Sequence, residues 1–442
     1  MIRRALGVFS GREWGLLLVL LTIQFCHVLD FVLIMPLAPM LMRSLDISAR
    51  EFGLLVSAYT FSAALSGLVA AAFMDRFDRR RMLLFLLAGF GVGTVLCGLV
   101  DEYRLLLAAR VVAGAFGGVL AGVVFAVVGD QIRPERRGTA MGVVMGAFSA
   151  ASVLGLPFGL YLANRFAWEA PFLFLGGLTV VVFAGAALLL PAMRGHVAPS
   201  DASPWADLVA VARAPEHLRA FALTVGIMFS AFSVVPFLSA YLTENAGLRE
   251  SQLPLIYLTG GLATLVTGPL VFGPLADRFG HAPVFMLSVV LGIPAIVAVT
   301  HLPVSPVWVI LTTTTAMMVM SSGRMISATA LVTGIVSPRR RGGFMSLNSS
   351  IQQGAAGAAS LVGGWMIQGG TGGEPIRGFP AVGWVAVAAS VLTLVLVRRL
   401  RPGEAAAAVP QMDETGAPPL AAPLEAPRRP ARAGLDPQGG RT

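Results

Sequence analysis

The sequence contains no lysine; all 32 basic residues are arginine. Charge of either sign is scarce. Only 12% of the 442 residues are charged, where a soluble domain carries about 25%. So little polar surface excludes a chain that stays dissolved as a globular protein. Cysteine is nearly absent too. Cys26 and Cys97 both lie in apolar runs, without metal-ligand spacing or a disulfide pattern, and read as small buried hydrophobes. No metal-ligand cluster, nucleotide-binding loop or nucleophile elbow occurs, which argues against an ATP-driven pump and an enzyme, and no metal is expected. The formal charge of +9 does not point to nucleic acid, because the arginines sit in short turns between apolar runs.

What the chain has is hydrophobicity: 56% of residues are hydrophobic and the mean hydropathy is +0.78. A helix needs about 20 apolar residues to cross the hydrocarbon. Apolar runs at 14–41, 52–74, 82–100, 104–129, 139–163 and 168–192, then 219–243, 251–276, 282–301, 306–335, 343–368 and 379–398, predict an all-α membrane protein of twelve spans. The predicted organisation is an N-terminal segment 1–13, a six-helix bundle 14–193, a polar connector 194–218, a second six-helix bundle 219–400 and a disordered tail 401–442 rich in Ala, Pro and Gly. No small-residue cleavage site follows the first run, so it reads as a retained helix. Placing both termini in the cytoplasm puts twenty arginines on that side, counted as far as Arg401. Six then lie opposite: Arg43, Arg50, Arg104, Arg165, Arg249 and Arg377. This is the positive-inside bias.

The chain is duplicated. Met74-Asp75-Arg76-Phe77-Asp78-Arg79-Arg80-Arg81 returns as Gly273-Pro274-Leu275-Ala276-Asp277-Arg278-Phe279-Gly280. Arg133-Pro134-Glu135-Arg136-Arg137-Gly138 returns as Ser337-Pro338-Arg339-Arg340-Arg341-Gly342. The offsets are 202 and 204 residues. Six spans per repeat give both halves the same topology, as in transporters whose halves rock about a central site.

On these motifs the chain resembles the major facilitator superfamily over roughly residues 12–400. The first turn keeps Asp75, Arg76, Arg79 and Arg80 of the family's signature, with Ala71 and Asp78 in place of its glycines. The second keeps Gly273, Leu275, Asp277, Arg278 and Gly280, with His281 and Ala282 in place of the basic pair. Arg110 followed by Gly114 and Gly118 is similar to the family's intramembrane arginine motif. Gly155, Pro157 and Gly159, after Gly146, look like the fifth-helix motif of proton-driven exporters, with one residue inserted. With Asp30 they resemble the twelve-helix drug/proton antiporter branch, nearest the sugar-efflux (arabinose-efflux-like) permeases. The resemblance implies proton-coupled efflux by alternating access in a bacterial inner membrane. It needs no cofactor beyond the proton gradient, and its partners are a small-molecule substrate, protons and lipid. One chain holds both halves, so a monomer suffices.

Asp30 lies deep in the first run. A charge at the bilayer centre costs about 2.5–3.5 kcal/mol on insertion scales, so it needs a cavity or a partner. Gln24, His27 and Asp30 share a helical face. The reading is a proton site assisted by His27; the bland alternative is a permanently paired structural carboxylate. Arg110, by depth counting, falls near Asp30 and is expected to pair with it until Asp30 protonates, or to be a fixed brace. Arg324 sits among threonines and serines and reads as a ligand for a carboxylate, phosphate or sugar hydroxyl, or as an internal clamp. Asn348 with Gln352, and Ser349 with Gln353, share faces of the eleventh run and suit a polar substrate or interhelical bonding; Gln24 joins this candidate lining. Asp75 and its arginines, near Asp130, read as a conformational latch or as topology-setting charge. Exported substrates expected are small polar or anionic solutes. Lipophilic cations, or a non-transporting sensor or scaffold, are the alternatives.

Overall fold

A computed structural model describes residues 9–73, 77–191, 193, 204–336, 341–370 and 374–399. Asp75, Arg76, Arg339, Arg340 and the tail from 401 lie outside the described residues.

Helix α1 (Gly11–Leu33) begins with a reciprocal cap. Glu13 N–H donates to Ser10 Oγ, and Ser10 N–H donates to the Glu13 carboxylate. The expected first span ends early, because Pro36 lacks the N–H that a continuing helix needs. A short α2 (Ala38–Ser44) follows. The seventh span breaks the same way, into α10 (Pro215–Phe232) and α11 (Val235–Glu244) around Pro236. The intervening helices are α3 (Ala49–Phe73), α4 (Arg79–Cys97), α5 (Tyr103–Gln131), α6 (Pro134–Ala150), α7 (Leu156–Arg165), α8 (Ala170–Leu189) and α9 (Pro204–Arg213). The last of these is a helix inside the segment read as connector, and α10 starts four residues earlier than expected.

After α11 come α12 (Leu253–Thr267), α13 (Gly273–Phe279), α14 (His281–Thr300), α15 (Val307–Gly334), α16 (Arg341–Met366) and α17 (Phe379–Arg399). A widened π turn joins α6 to α7 at Ala151–Gly155, and another joins α12 to α13 at Gly268–Phe272. Prolines beside each (Pro157; Pro269 and Pro274) withhold the N–H groups that a regular ladder would use.

Ten helical stretches among the described residues are long and apolar enough to cross a membrane. Helices α15 and α16, 28 and 26 residues long, occupy the tenth and eleventh expected places. They are long enough but more polar, through Thr312–Thr315 and Ser346–Gln353.

Packing repeats between the halves. In the first, α3 and α4 pack on α5, α4 on α8, and α1 on α6. In the second, α12 and α14 pack on α15, α14 on α17, and α10 on α16. Small residues permit the close approaches: a Cβ on Gly118 would collide with the Ala63 backbone, and one on Gly114 with that of Tyr59.

The halves meet through α3 and α16, α2 and α11, and α7 and α12. In the α3–α16 seam Ser57 donates to the Gly357 carbonyl (2.9 Å), and Gly53 faces Ser360 and Gly364. One end of the bundle carries a contact across the halves between Arg43 and Glu250. The other end carries Glu13, Arg79, Asp130 and Arg136.

Candidate functional site

Asp30 and Arg110 come together. Arg110 Nη1 donates to Asp30 Oδ2 at 3.1 Å, and both side chains are fully buried. The same nitrogen lies 3.4 Å from the Asp30 carbonyl, and Thr94 Oγ1 donates to Asp30 Oδ1 at 3.1 Å. Helices α1, α4 and α5 therefore each contribute one group. The Arg110 guanidinium lies 4.4 Å from the centre of the Tyr59 ring on α3, within cation–π range. Arg110 Nε and Nη2 have no hydrogen-bond partner among the described residues.

An aromatic file leads from this pair toward the other half. Tyr59 stacks on Phe31 (5.5 Å), the residue next to Asp30, and Phe31 stacks on Phe232 (5.8 Å) at the end of α10. Neither Phe31 nor Phe232 was singled out in the sequence. An aromatic in a membrane helix is too common to signal such a file.

His27 is buried beside Phe90, and both its ring nitrogens lack a hydrogen-bond partner among the described residues, as does Gln24 Oε1. A Cβ on Gly117 would lie within 3.2 Å of both His27 and the Tyr59 hydroxyl, so both groups pack directly against this glycine and leave no room for a side chain there.

The fifth-helix motif packs against the acid's own helix. A Cβ on Gly155 would meet Leu29, and one on Gly159 would meet Leu33, the residues flanking Asp30 on α1. Pro157 stands at the start of α7, just past the π turn.

Arg324 is buried within the second half. Its Nη1 donates to Ser230 Oγ on α10 (2.8 Å) and lies 3.5 Å from Ser390 Oγ on α17. Asn348 accepts a hydrogen bond from Thr224 on α10 (2.8 Å), which ties α16 to its own bundle. Gln352 and Gln353 are half-buried on α16, the helix that forms the seam with α3. The structure thus does not bring Arg324, Asn348 and the two glutamines into one described pocket. A cavity of about 460 Å³ opens at the Glu250 end, lined by Met40, Ser44, Asn164, Trp168 and Glu250 among others, and by none of the sequence-predicted site residues.

At the opposite end Arg79 Nε donates to Asp130 Oδ2 (3.1 Å). Asp78, read in the sequence only as standing in place of a glycine, caps α4 by accepting from Arg81 N–H (3.0 Å) and also accepts from Met193 N–H (3.0 Å). An aspartate immediately before a helical run is the local signal for such a cap. Arg80 donates to the Ala187 carbonyl. Asp277 and Arg278, the second copy, are both exposed on α13.

Two similar helical halves joined by narrow seams, with an ion pair buried in one of them, define a multi-pass membrane protein of transporter type. A Major Facilitator Superfamily model matches residues 20–219 and again 220–433, and the chain belongs to that superfamily. It is 28% identical over 262 residues to the uncharacterised MFS-type transporter YceJ of Bacillus subtilis (strain 168), covering 59% of this chain and 66% of the relative. It is 24% identical over 239 residues to the putative transporter AraJ of Escherichia coli (strain K12), covering 54% of this chain and 59% of the relative. The chain thus spans less than two thirds of the length of these relatives. A crystal structure of the nucleoside transporter NupG superposes with a TM-score of 0.70 at 12% identity, over 88% of this chain and all of that one, which is a likeness of fold. The superfamily consists of transporters, and the chain is not an enzyme.

Proposed function

We propose that the chain is a proton-coupled secondary transporter with twelve spans and both termini in the cytoplasm of a bacterial inner membrane. It works as an efflux antiporter for a small polar or anionic solute, by alternating access. The Asp30–Arg110 pair carries this reading. While Asp30 is ionised, the buried pair is neutral. Protonation leaves the Arg110 cation without its counter-charge, and removing one partner of a buried pair costs about 3–5 kcal/mol. Moving a two-state equilibrium from one strongly biased side to the other takes about 5.5 kcal/mol. One proton at this site therefore supplies most of a conformational switch.

The aromatic file gives the switch a route. Arg110 moves with Tyr59, Tyr59 with Phe31, and Phe31 with Phe232 at the Pro236 break of the second half. His27 and the Tyr59 hydroxyl, packed together against Gly117, stand beside the route by which a proton reaches Asp30. Gln352 and Gln353, on the α16 side of the seam, are the substrate-facing amides, with Asn348 holding α16 in place and Gln24 polar on α1. Arg79, Arg80 and Asp130, with Asp75 and Arg76, form the latch at the cytoplasmic end.

Everted vesicles loaded with a pH-sensitive dye test this against sugars, organic acids, nucleosides and cationic dyes. Proton release from the lumen on adding a polar or anionic class, lost in Asp30→Asn while the protein still inserts, is the expected result. Full coupled transport by Asp30→Asn would sink the proton-site assignment.

A further inference from the structure

One face of α4 meets His27, Asp30 and Arg110 in turn. Phe90, Thr94 and Cys97 stand at i, i+4 and i+7, which puts them on one side of that helix. Phe90 packs beside His27 with 6.2 Å between ring centres, Thr94 Oγ1 donates to Asp30 Oδ1, and Cys97 lies beside Arg110. All three are fully buried. The face cannot draw back. A Cβ on Gly93 would sit 2.6 Å from Ala113 N, so the backbones of α4 and α5 touch one residue from Thr94 and one turn from Arg110.

Thr94 also departs from what threonines do elsewhere in these helices. Thr179 on α8 and Thr300 on α14 give their hydroxyl protons to the carbonyl four residues earlier, inside their own helix. Thr94 gives its single proton across to a carboxylate. The two Asp30 oxygens therefore meet different partners. Oδ2 faces the Arg110 cation, which repels an incoming proton. Oδ1 faces a hydroxyl, which donates or accepts by turning about its own bond. Among the described residues Arg110 is the one charged group in contact with Asp30. Helices α6 and α7 carry their ions near their ends (Glu135, Arg136, Arg137 and Arg165), and α8 has none. Tyr59, His27, Cys26 and Cys97 are the remaining titratable neighbours.

We infer that Thr94 is a positioning residue of the proton site: it directs the incoming proton to Asp30 Oδ1 and sets the pH at which that proton binds. The inference rests on the proton-site reading of Asp30. The proton adds to an Oδ1 lone pair, and no bond in the protein breaks. The new O–H donates to Thr94 Oγ1, whose own proton turns toward the Phe90 carbonyl, four residues earlier. A hydrogen bond to an ionised acceptor is about twice as strong as one between neutral groups. The hydroxyl therefore favours the ionised carboxylate, and its loss lets the proton bind at higher pH.

Infrared titration of the full-length chain reconstituted in lipid tests this without any substrate. Each spectrum is taken as the difference from the same chain carrying Asp30→Asn, so the C=O stretch of the protonated carboxyl reports Asp30 alone. Thr94→Val keeps the side chain's shape and removes the hydroxyl. The titration midpoint is expected to move up by about one pH unit. The stretch is expected at higher frequency, because its hydrogen bond is gone. Thr94→Ser is expected to restore both. Thr94→Ala, which adds no bulk, is expected to reproduce the valine result and serves where Thr94→Val fails to insert. A midpoint that is the same with and without the hydroxyl would overturn the proposal. So would a shift that Thr94→Ser leaves in place, because that is the mark of packing alone. Absence of any Asp30-dependent band in the native chain would overturn the proton-site reading as well, so the two failures are told apart.

Discussion

At the scale of single residues, the buried pair makes a prediction that a fixed brace also shares, and one that it does not. Arg110→Ala leaves the Asp30 carboxylate buried beside Thr94 alone. It should lower stability by about 3–5 kcal/mol, and adding Asp30→Asn should recover much of that, as read by thermal unfolding of both variants. A brace predicts the same recovery. Only a proton site predicts that Asp30→Asn abolishes substrate-driven proton release in vesicles while the protein still inserts and substrate counterflow without a pH gradient persists; its melting temperature falls, because Arg110 loses its counter-charge. The pair was legible in the sequence because an aspartate deep in an apolar run must find a partner, and helix rise sets the depth at which to look. The partners of Arg324 were not legible. They come from two helices, α10 and α17, and serine in a membrane span carries no signal that separates a ligand from a packing residue. Asp78 was legible in principle, as a cap before Arg79, but the family pattern drew attention to the glycine it replaces.

At the scale of elements, two prolines at matching places break the first helix of each half, and π turns loosen the fifth and eighth spans. The sequence marked these prolines, yet apolar run length reads through them, so each broken helix was expected as one span. Gly155→Val should push Leu29, and with it the turn of α1 that holds Asp30, out of position. A Cβ there already sits 2.8 Å from Leu29 Cδ1. Coupled flux should fall about ten-fold or more with insertion retained, and Leu29→Ala in the same chain should restore part of it. Phe232→Ala should remove the last ring of the aromatic file and leave the Asp30–Arg110 contact in place. Substrate counterflow in proteoliposomes without a pH gradient should then persist, while acceleration by the gradient is lost. Loss of both would show Phe232 to be a packing residue only.

At the scale of the whole molecule, the duplication was plain in the sequence, and the repeated helix pairings follow from it. How the halves meet was not legible, since a seam of small residues looks the same inside a bundle as between bundles. The contact of Arg43 with Glu250 joins the halves at one end. Replacing both by cysteine should allow a cross-link under oxidation. Transport should fall about ten-fold or more and return on reduction, since rocking requires that end to open. Cys26 and Cys97 are fully buried and should not interfere. Unimpaired flux in the cross-linked form would mean that the Glu250 end need not open.

The α3–α16 seam carries one more consequence. With Gly53 against Ser360 and Gly364, and Ser57 bonded to the Gly357 carbonyl, backbone meets backbone at these points too closely for an acyl chain to pass between them. Lipid tails are therefore shut out along that flank. An amphiphile dissolved in the bilayer finds no sideways doorway through it, so cargo approaching from that flank must first pass through water. The seam thus sorts solutes by how they partition, before any side chain has touched them.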